Sequence, residues 1–136
     1  MPTKRRDFLK KVTAATAMAA TAPILSYADT GSSANEQTKA AFIYIASGND
    51  PKVHKAVINS PVIHLTVVGV VDYGQAEKIA KELVKDGITA IELCAGFGNE
   101  GTARICKAVA GKAIVGVVRF DIHPAFGYKS GDALFS

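Results

Sequence analysis

Between residues 62 and 94 the hydrophobic period of the chain changes twice. Val62 to Val71 is dense in β-branched residues and reads as a strand. The next stretch drops that pattern. Ala76, Ile79, Ala80, Leu83 and Val84 recur at i, i+3, i+4, i+7 and i+8, which is one face of a helix. Asp72 and Gln75 stand in capping-box spacing at its start, and Gly87 ends it as the residue just past the helix. Ile88 to Cys94 returns to a strand. A strand, a helical crossover and a second strand lie parallel in one sheet, with a right-handed connection. That confines the chain to layered α/β architectures.

The remaining segments extend the same alternation. Ala40 to Ala46 is a short apolar run, followed by Ser47-Gly48-Asn49-Asp50-Pro51. Asp50 suits an N-cap and Pro51 a first helical position, so the pattern predicts a short helix with Val53, Ala56 and Val57 inward. Asn99 to Ala110 reads as a third helix, with Ala103, Cys106, Val109 and Ala110 on one stripe and Gly111 closing it. Ala113 to Phe120 is a fourth strand, and Asp121 to Ser136 is a tail carrying Phe126, Tyr128, Leu134 and Phe135. The expectation is one α/β domain over residues 39–136, βαβαβαβ, with a mainly parallel four-stranded sheet. With 49% hydrophobic and 21% charged residues the chain can bury a core and is not a disorder candidate.

A different composition precedes this domain. Lys4, Arg5, Arg6, Lys10 and Lys11 crowd the N-terminus, and Arg5-Arg6 is followed by Phe8-Leu9 and a mildly apolar Ala/Thr-rich run, Val12 to Ala22. Pro23 interrupts the run, and Ser26-Tyr27-Ala28 supplies small residues three and one positions before a cut at Asp29. This resembles a twin-arginine export signal over residues 1–28, with a polar linker over 29–38 and a periplasmic or exported destination. A stable membrane anchor needs about 20 strongly apolar residues, and this run is shorter and broken by proline. Setting 28 residues aside, with five cations and one anion, leaves 108 of 136 residues, in which 11 Lys and Arg balance 11 Asp and Glu. The net charge of +4 therefore belongs to the leader. Nucleic acid is not an expected partner, because neutralising phosphates takes a clustered surplus of cations.

Several segments of the domain carry a resemblance. Lys39-Ala40-Ala41-Phe42-Ile43, Thr66-Val67-Val68-Gly69-Val70, Ala90-Ile91-Glu92-Leu93-Cys94-Ala95-Gly96-Phe97-Gly98, Gly116-Val117-Val118-Arg119-Phe120-Asp121 and Lys129-Ser130-Gly131-Asp132 resemble a bacterial domain-of-unknown-function family of small α/β proteins. The Glu-Leu-Cys-x-Gly-Phe-Gly segment is its most specific part. The resemblance implies no activity, and it leaves any cofactor unknown. The export leader is a departure from the family pattern, whose members begin near the first strand.

Candidate chemistry collects where the loops after parallel strands share an edge. Gly96-Phe97-Gly98-Asn99-Glu100-Gly101 is a literal G-x-G-x-x-G between a strand and a helix, and Asp121 lies 20 residues beyond Gly101. Glycines in that position let backbone N–H groups approach an anion, helped by the helix N-terminus. Glu100 argues against a phosphate there, and Asn99 could instead be a plain N-cap. Asp121, His123 and Cys94 are weak candidates for acid–base chemistry, and their spacing is not a metal signature. His54 and His64 are weaker still. Cys94 and Cys106 form no CxxC, and two separate thiols are expected. Glu92 and Arg119 are charges inside apolar strands, and strand parity pairs them on one face, either as an ion pair or with Arg119 receiving an anion.

Two functions follow from these residues. In the first, Gly96, Gly98 and Gly101 supply backbone donors and Arg119 a counter-charge to a small or anionic ligand at the sheet edge. In the second, the chain is a non-enzymatic oligomeric or partner-binding module in which the same glycines only build turns. No motif decides whether the chain is an enzyme. Oligomerisation has its own motive, since a parallel sheet needs both faces covered. A strand order of 2-1-3-4 puts only the short first helix on one face, and sequential order leaves one face bare. A homodimer or the aromatic tail could cover the remainder.

Overall fold

The computed structural model describes residues 37–136. β1 (Thr38–Ile45), β2 (Lys55–Asn59), β3 (Ile63–Val70), β4 (Ala90–Leu93) and β5 (Ile114–Val117) form one sheet in the order β2-β3-β1-β4-β5. α1 (Tyr73–Lys85) connects β3 to β4, and α2 (Asn99–Val109) connects β4 to β5. The tail holds a 3-10 turn, Pro124–Phe126, and a final helical turn, α3 (Asp132–Phe135). No helix among the described residues is long and apolar enough to cross a membrane.

The α/β architecture agrees with the sequence reading, and β3, β1, β4 and β5 stand in the 2-1-3-4 order of the four strands then recognised. The strand count does not agree. A fifth strand, β2, lies antiparallel to β3 where the short helix was expected. Asp50 does start a turn, since its Oδ1 accepts from Lys52 N at 2.9 Å and its carbonyl from Val53 N and His54 N at 3.0 and 2.7 Å. The chain then leaves the turn, because Val57 and Ile58 fit a pleated strand better than a helix. Ser60 closes the hairpin, with Oγ accepting from Ile63 N at 3.0 Å.

α1 begins as its spacing predicts. Asp72 Oδ1 accepts from Gln75 N at 2.7 Å, and Gln75 Oε1 accepts from Val71 N at 2.8 Å. Gly87, with φ +86°, supplies the left-handed turn that ends it. α1 buries Tyr73, Ala76, Ala80 and Leu83, and α2 buries Gly101, Ile105 and Val109. The α2 stripe is thus offset from the one expected, and Cys106 is exposed rather than inward. Both helices pack on the face formed by Ala41, Ile43, Ile45, Thr66, Val68, Val70, Ile91 and Leu93. Each large aliphatic side chain fully buried there contributes about 1.5 to 3 kcal/mol.

The two crossovers run in the same direction, which puts α1 and α2 side by side. No helix among the described residues covers the opposite face. Nor does the tail cover it: Phe135 packs 6.2 Å from the Tyr73 ring and 5.3 Å from Phe126, at the end of the sheet where β1 and β4 finish.

Candidate functional site

The residues following β4 form the centre of that end. Phe97 N donates to Cys94 O at 3.0 Å, and the resulting turn drives Phe97 into the core, where it stacks on Tyr73 at 5.5 Å. The turn lies hard against β1: a Cβ on Gly96 would stand 2.5 Å from Ile45 Cγ2. Cys94 is half-buried, and its Sγ accepts from Ile45 N at 3.4 Å and Gly96 N at 3.3 Å.

α2 then starts without a side-chain cap from its own sequence, for its N-cap is Gly98 rather than Asn99. The cap comes from the tail. Asp132 Oδ2 accepts from Glu100 N and Oδ1 from Gly101 N, both at 3.1 Å. Tyr73 OH donates to the same Oδ1 at 3.0 Å and accepts from Gly98 N at 3.0 Å. The Asp132 carboxylate thus sits where an anion sits at a helix N-terminus. The amides of Gly96, Gly98 and Gly101 are all engaged within the chain. Burial opposes ionisation of Asp132, but donation from Glu100, Gly101, Tyr73 and Asn99 outweighs it and holds the carboxyl below its ordinary value. Burial pushes the Tyr73 hydroxyl up to about 12, against the bond from Gly98, and the neighbouring Asp132 adds to the rise. Arg104 lies 5.7 Å from the centre of the Tyr73 ring and pairs with Glu77 at 2.6 Å.

Beside the capped helix end lies a cleft of about 330 Å³, within the size range of small-molecule sites. Phe97 and Val117 give it apolar lining, and Gly98, Asn99, Thr102, Arg119, Asp121 and Ser130 give it polar groups. Arg119 Nε and Nη2 both reach Asp121 Oδ1 at 2.7 Å. These side chains are 64% and 77% exposed, so their pairing holds the guanidinium at the cleft mouth with little effect on stability.

Arg119 and Glu92 do not meet. Glu92 stands opposite Gly116 in the register, so alternation along β5 sends Arg119 to the helix-covered side and leaves Glu92 on the uncovered one. Aligned by their ends, β4 and β5 would bring the two side chains to one face; the true register separates them. His123 accepts from Ala125 N through Nδ1 at 3.1 Å and stacks on Phe126 at 4.3 Å. Asp121, His123 and Cys94 therefore each serve a separate local contact. The described residues contain no group of three His, Cys, Asp or Glu side chains placed to hold a metal ion. His54 accepts from Asp50 N at 2.8 Å, and His64 bonds Asn59 Oδ1 at 2.7 Å.

Tyr73 and Asp132 are the residues that sequence reasoning missed. Asp132 belonged to the Lys-Ser-Gly-Asp segment of the resemblance, but nothing in its spacing tied it to a helix 31 residues upstream. No curated protein and no solved structure matches the chain. Residues 38–133, from the first residue of β1 into α3, match a family of unknown function, DUF6506. The chain belongs to the DUF6506 family.

Proposed function

We propose that this DUF6506 domain is an exported receptor for a small anionic ligand, held in the cleft beside α2 with Arg119 as its counter-charge. The observation that carries this reading is the placing of Arg119 at the mouth of a cleft of about 330 Å³. Because the glycine-loop amides are used by Tyr73, Asp132 and Cys94, charge recognition falls to the guanidinium. Thr102, Ser130 and Asn99 supply further polar contacts, and Val117 supplies an apolar wall. Carboxylates and phosphate esters of metabolite size fit this chemistry, since either can take the place of the exposed Asp121 carboxylate on the paired donors Nε and Nη2 of Arg119.

Thermal-shift and calorimetric titrations with inorganic phosphate, pyrophosphate and short dicarboxylates test it. At least one probe is expected to bind, with affinity about 10-fold or more lower in Arg119→Gln, corresponding to loss of a charged hydrogen bond of about 1.5 to 3 kcal/mol. Equal behaviour of the two proteins, or no binding at all, favours the second reading, a non-enzymatic interaction module. The occupation of the glycine loop by Asp132 supports that alternative.

The export half of the proposal rests on residues 1–28, which lie outside the described residues. What supports it is the order of Arg5-Arg6, an apolar run and Ser26-Tyr27-Ala28, all before the family match begins at residue 38. Changing Arg5 and Arg6 together to Lys is expected to leave the uncleaved precursor in the cytoplasm, read by fractionation of cells with and without a working twin-arginine translocase. Export that survives both changes rules out this route.

A further inference from the structure

We propose that two copies of this chain pack together through the uncovered face of the sheet. Sheet register defines the face. Ala40 and Phe42 of β1 stand at its centre beside Leu65 and Val67 of β3, with Ile58 of β2 and Ile114 of β5 toward the two sides. Ile58 is 55% and Ile114 70% exposed, although both lie in regular strands.

Area argues for a partner of protein size. Five strands spaced about 4.8 Å apart and averaging about 20 Å in length present on the order of 500 Å² in projection, before side-chain relief is counted. Val118, 48% exposed, prolongs the apolar surface past the end of β5. Soluble monomers rarely expose contiguous apolar patches above a few hundred Å², whereas specific dimers begin near 600 Å² per partner. The face therefore approaches the lower end of a stable interface and stands at the upper end of what an isolated domain leaves open.

The distribution of charge selects a second copy. Glu92 is the only carboxylate or cation on the strand positions of this face, and it is the register partner of Phe42, one strand from the centre. Its Cγ is 3.8 Å from where a Cβ of Gly116 would be, so its stem leans toward the β5 edge. The carboxylate is thus carried from Phe42 toward the β5 side, and the β1–β3 half of the face, with Ala40, Phe42, Leu65 and Val67, is left without charge, as an interface core requires. A face with no central polar code does not discriminate an unrelated partner but is complementary to itself across a two-fold axis. Two sheets then stack about 10 Å apart, as in a β-sandwich.

Sedimentation velocity of the full chain at micromolar concentration, with far-UV circular dichroism as a fold check, tests the proposal. Wild type is expected to sediment at twice the chain mass of 14.2 kDa. The Ile58→Lys/Ile114→Lys double variant is expected to become monomeric with an unchanged spectrum, since both side chains are already exposed. Val53→Lys, at an apolar residue 71% exposed in the turn before β2, should leave the dimer intact. A monomeric wild type overturns the proposal. So does a dimer that survives the double variant, which would place association on the leader or another surface.

Discussion

Asp132→Ala is expected to lower the unfolding free energy by about 2 to 3 kcal/mol near neutral pH. Two losses combine: the cap of α2, about 1 kcal/mol, and the acceptor of the Tyr73 hydroxyl, about 1 to 3 kcal/mol where the group is left unpaired in the interior. The lower part of the combined range applies because Asp132 is only partly buried, so water can replace some of its bonds. The effect carries a pH signature. The folded carboxyl is held below its unfolded value of about 3.9, so its contribution is present above that pH and is lost as pH falls through the lower folded value. Tyr73 behaves in the opposite sense. Its folded value is raised to about 12, so its contribution is complete below the unfolded value of about 10 and is lost as pH rises through about 12. Urea unfolding across the acid and alkaline limbs measures both. In Asp132→Ala the acid limb should flatten, and Tyr73 should ionise at lower pH, because Asp132 is one of the groups raising it. An acid limb identical to wild type would show that this carboxylate does not carry the linkage.

The elements that could be read from sequence were those whose determinants are local. The α1 period, its Asp72–Gln75 cap and the Gly87 stop lie within 16 residues of one another, and each appears in the structure as read. β2 was misread for a local reason too. Asp50-Pro51 does open a turn, and the helical reading carried that turn too far. Val57-Ile58, Ser60-Pro61 and Val62-Ile63 together hold the signal of a hairpin, apolar pairs around a turn. What could not be read depends on register and on distant segments. The expected Glu92–Arg119 pairing needed the alignment of β4 with β5, and a shift of one residue sends a side chain to the other face. The α2 cap needed knowledge that the tail returns over the sheet end. The glycine loop was located correctly, but its tenant could not be read, because Asp132 enters from 31 residues beyond Gly101.

Gly131→Ala is expected to destabilise the domain by about 3 to 5 kcal/mol, the largest effect of any single methyl group added to the tail. Backbone conformation is not the cause, since Gly131 has φ −58° and ψ −33°, values alanine adopts readily. Helix propensity gives alanine no advantage, because Gly131 is the N-cap of α3, where glycine is preferred to alanine. The obstacle is steric: the new Cβ would collide with the carbonyl oxygen of Gly96 and stand 3.0 Å from Tyr73 OH. Gly96 cannot retreat, because its own backbone already lies against Ile45. With backbone on both sides of the clash, the tail must lift, and the cost is then bounded by what tail docking contributes. That bound is the burial of Phe135, about 1.5 to 3 kcal/mol, plus about 2 to 3 kcal/mol for the Asp132 contacts. Denaturant unfolding gives the total, and hydrogen exchange locates it: the amides of Glu100 and Gly101 should lose protection while those of β1 and β3 keep theirs. A loss under about 1 kcal/mol with those amides still protected would mean that the tail docks by some route other than the close approach of Gly131 to Gly96.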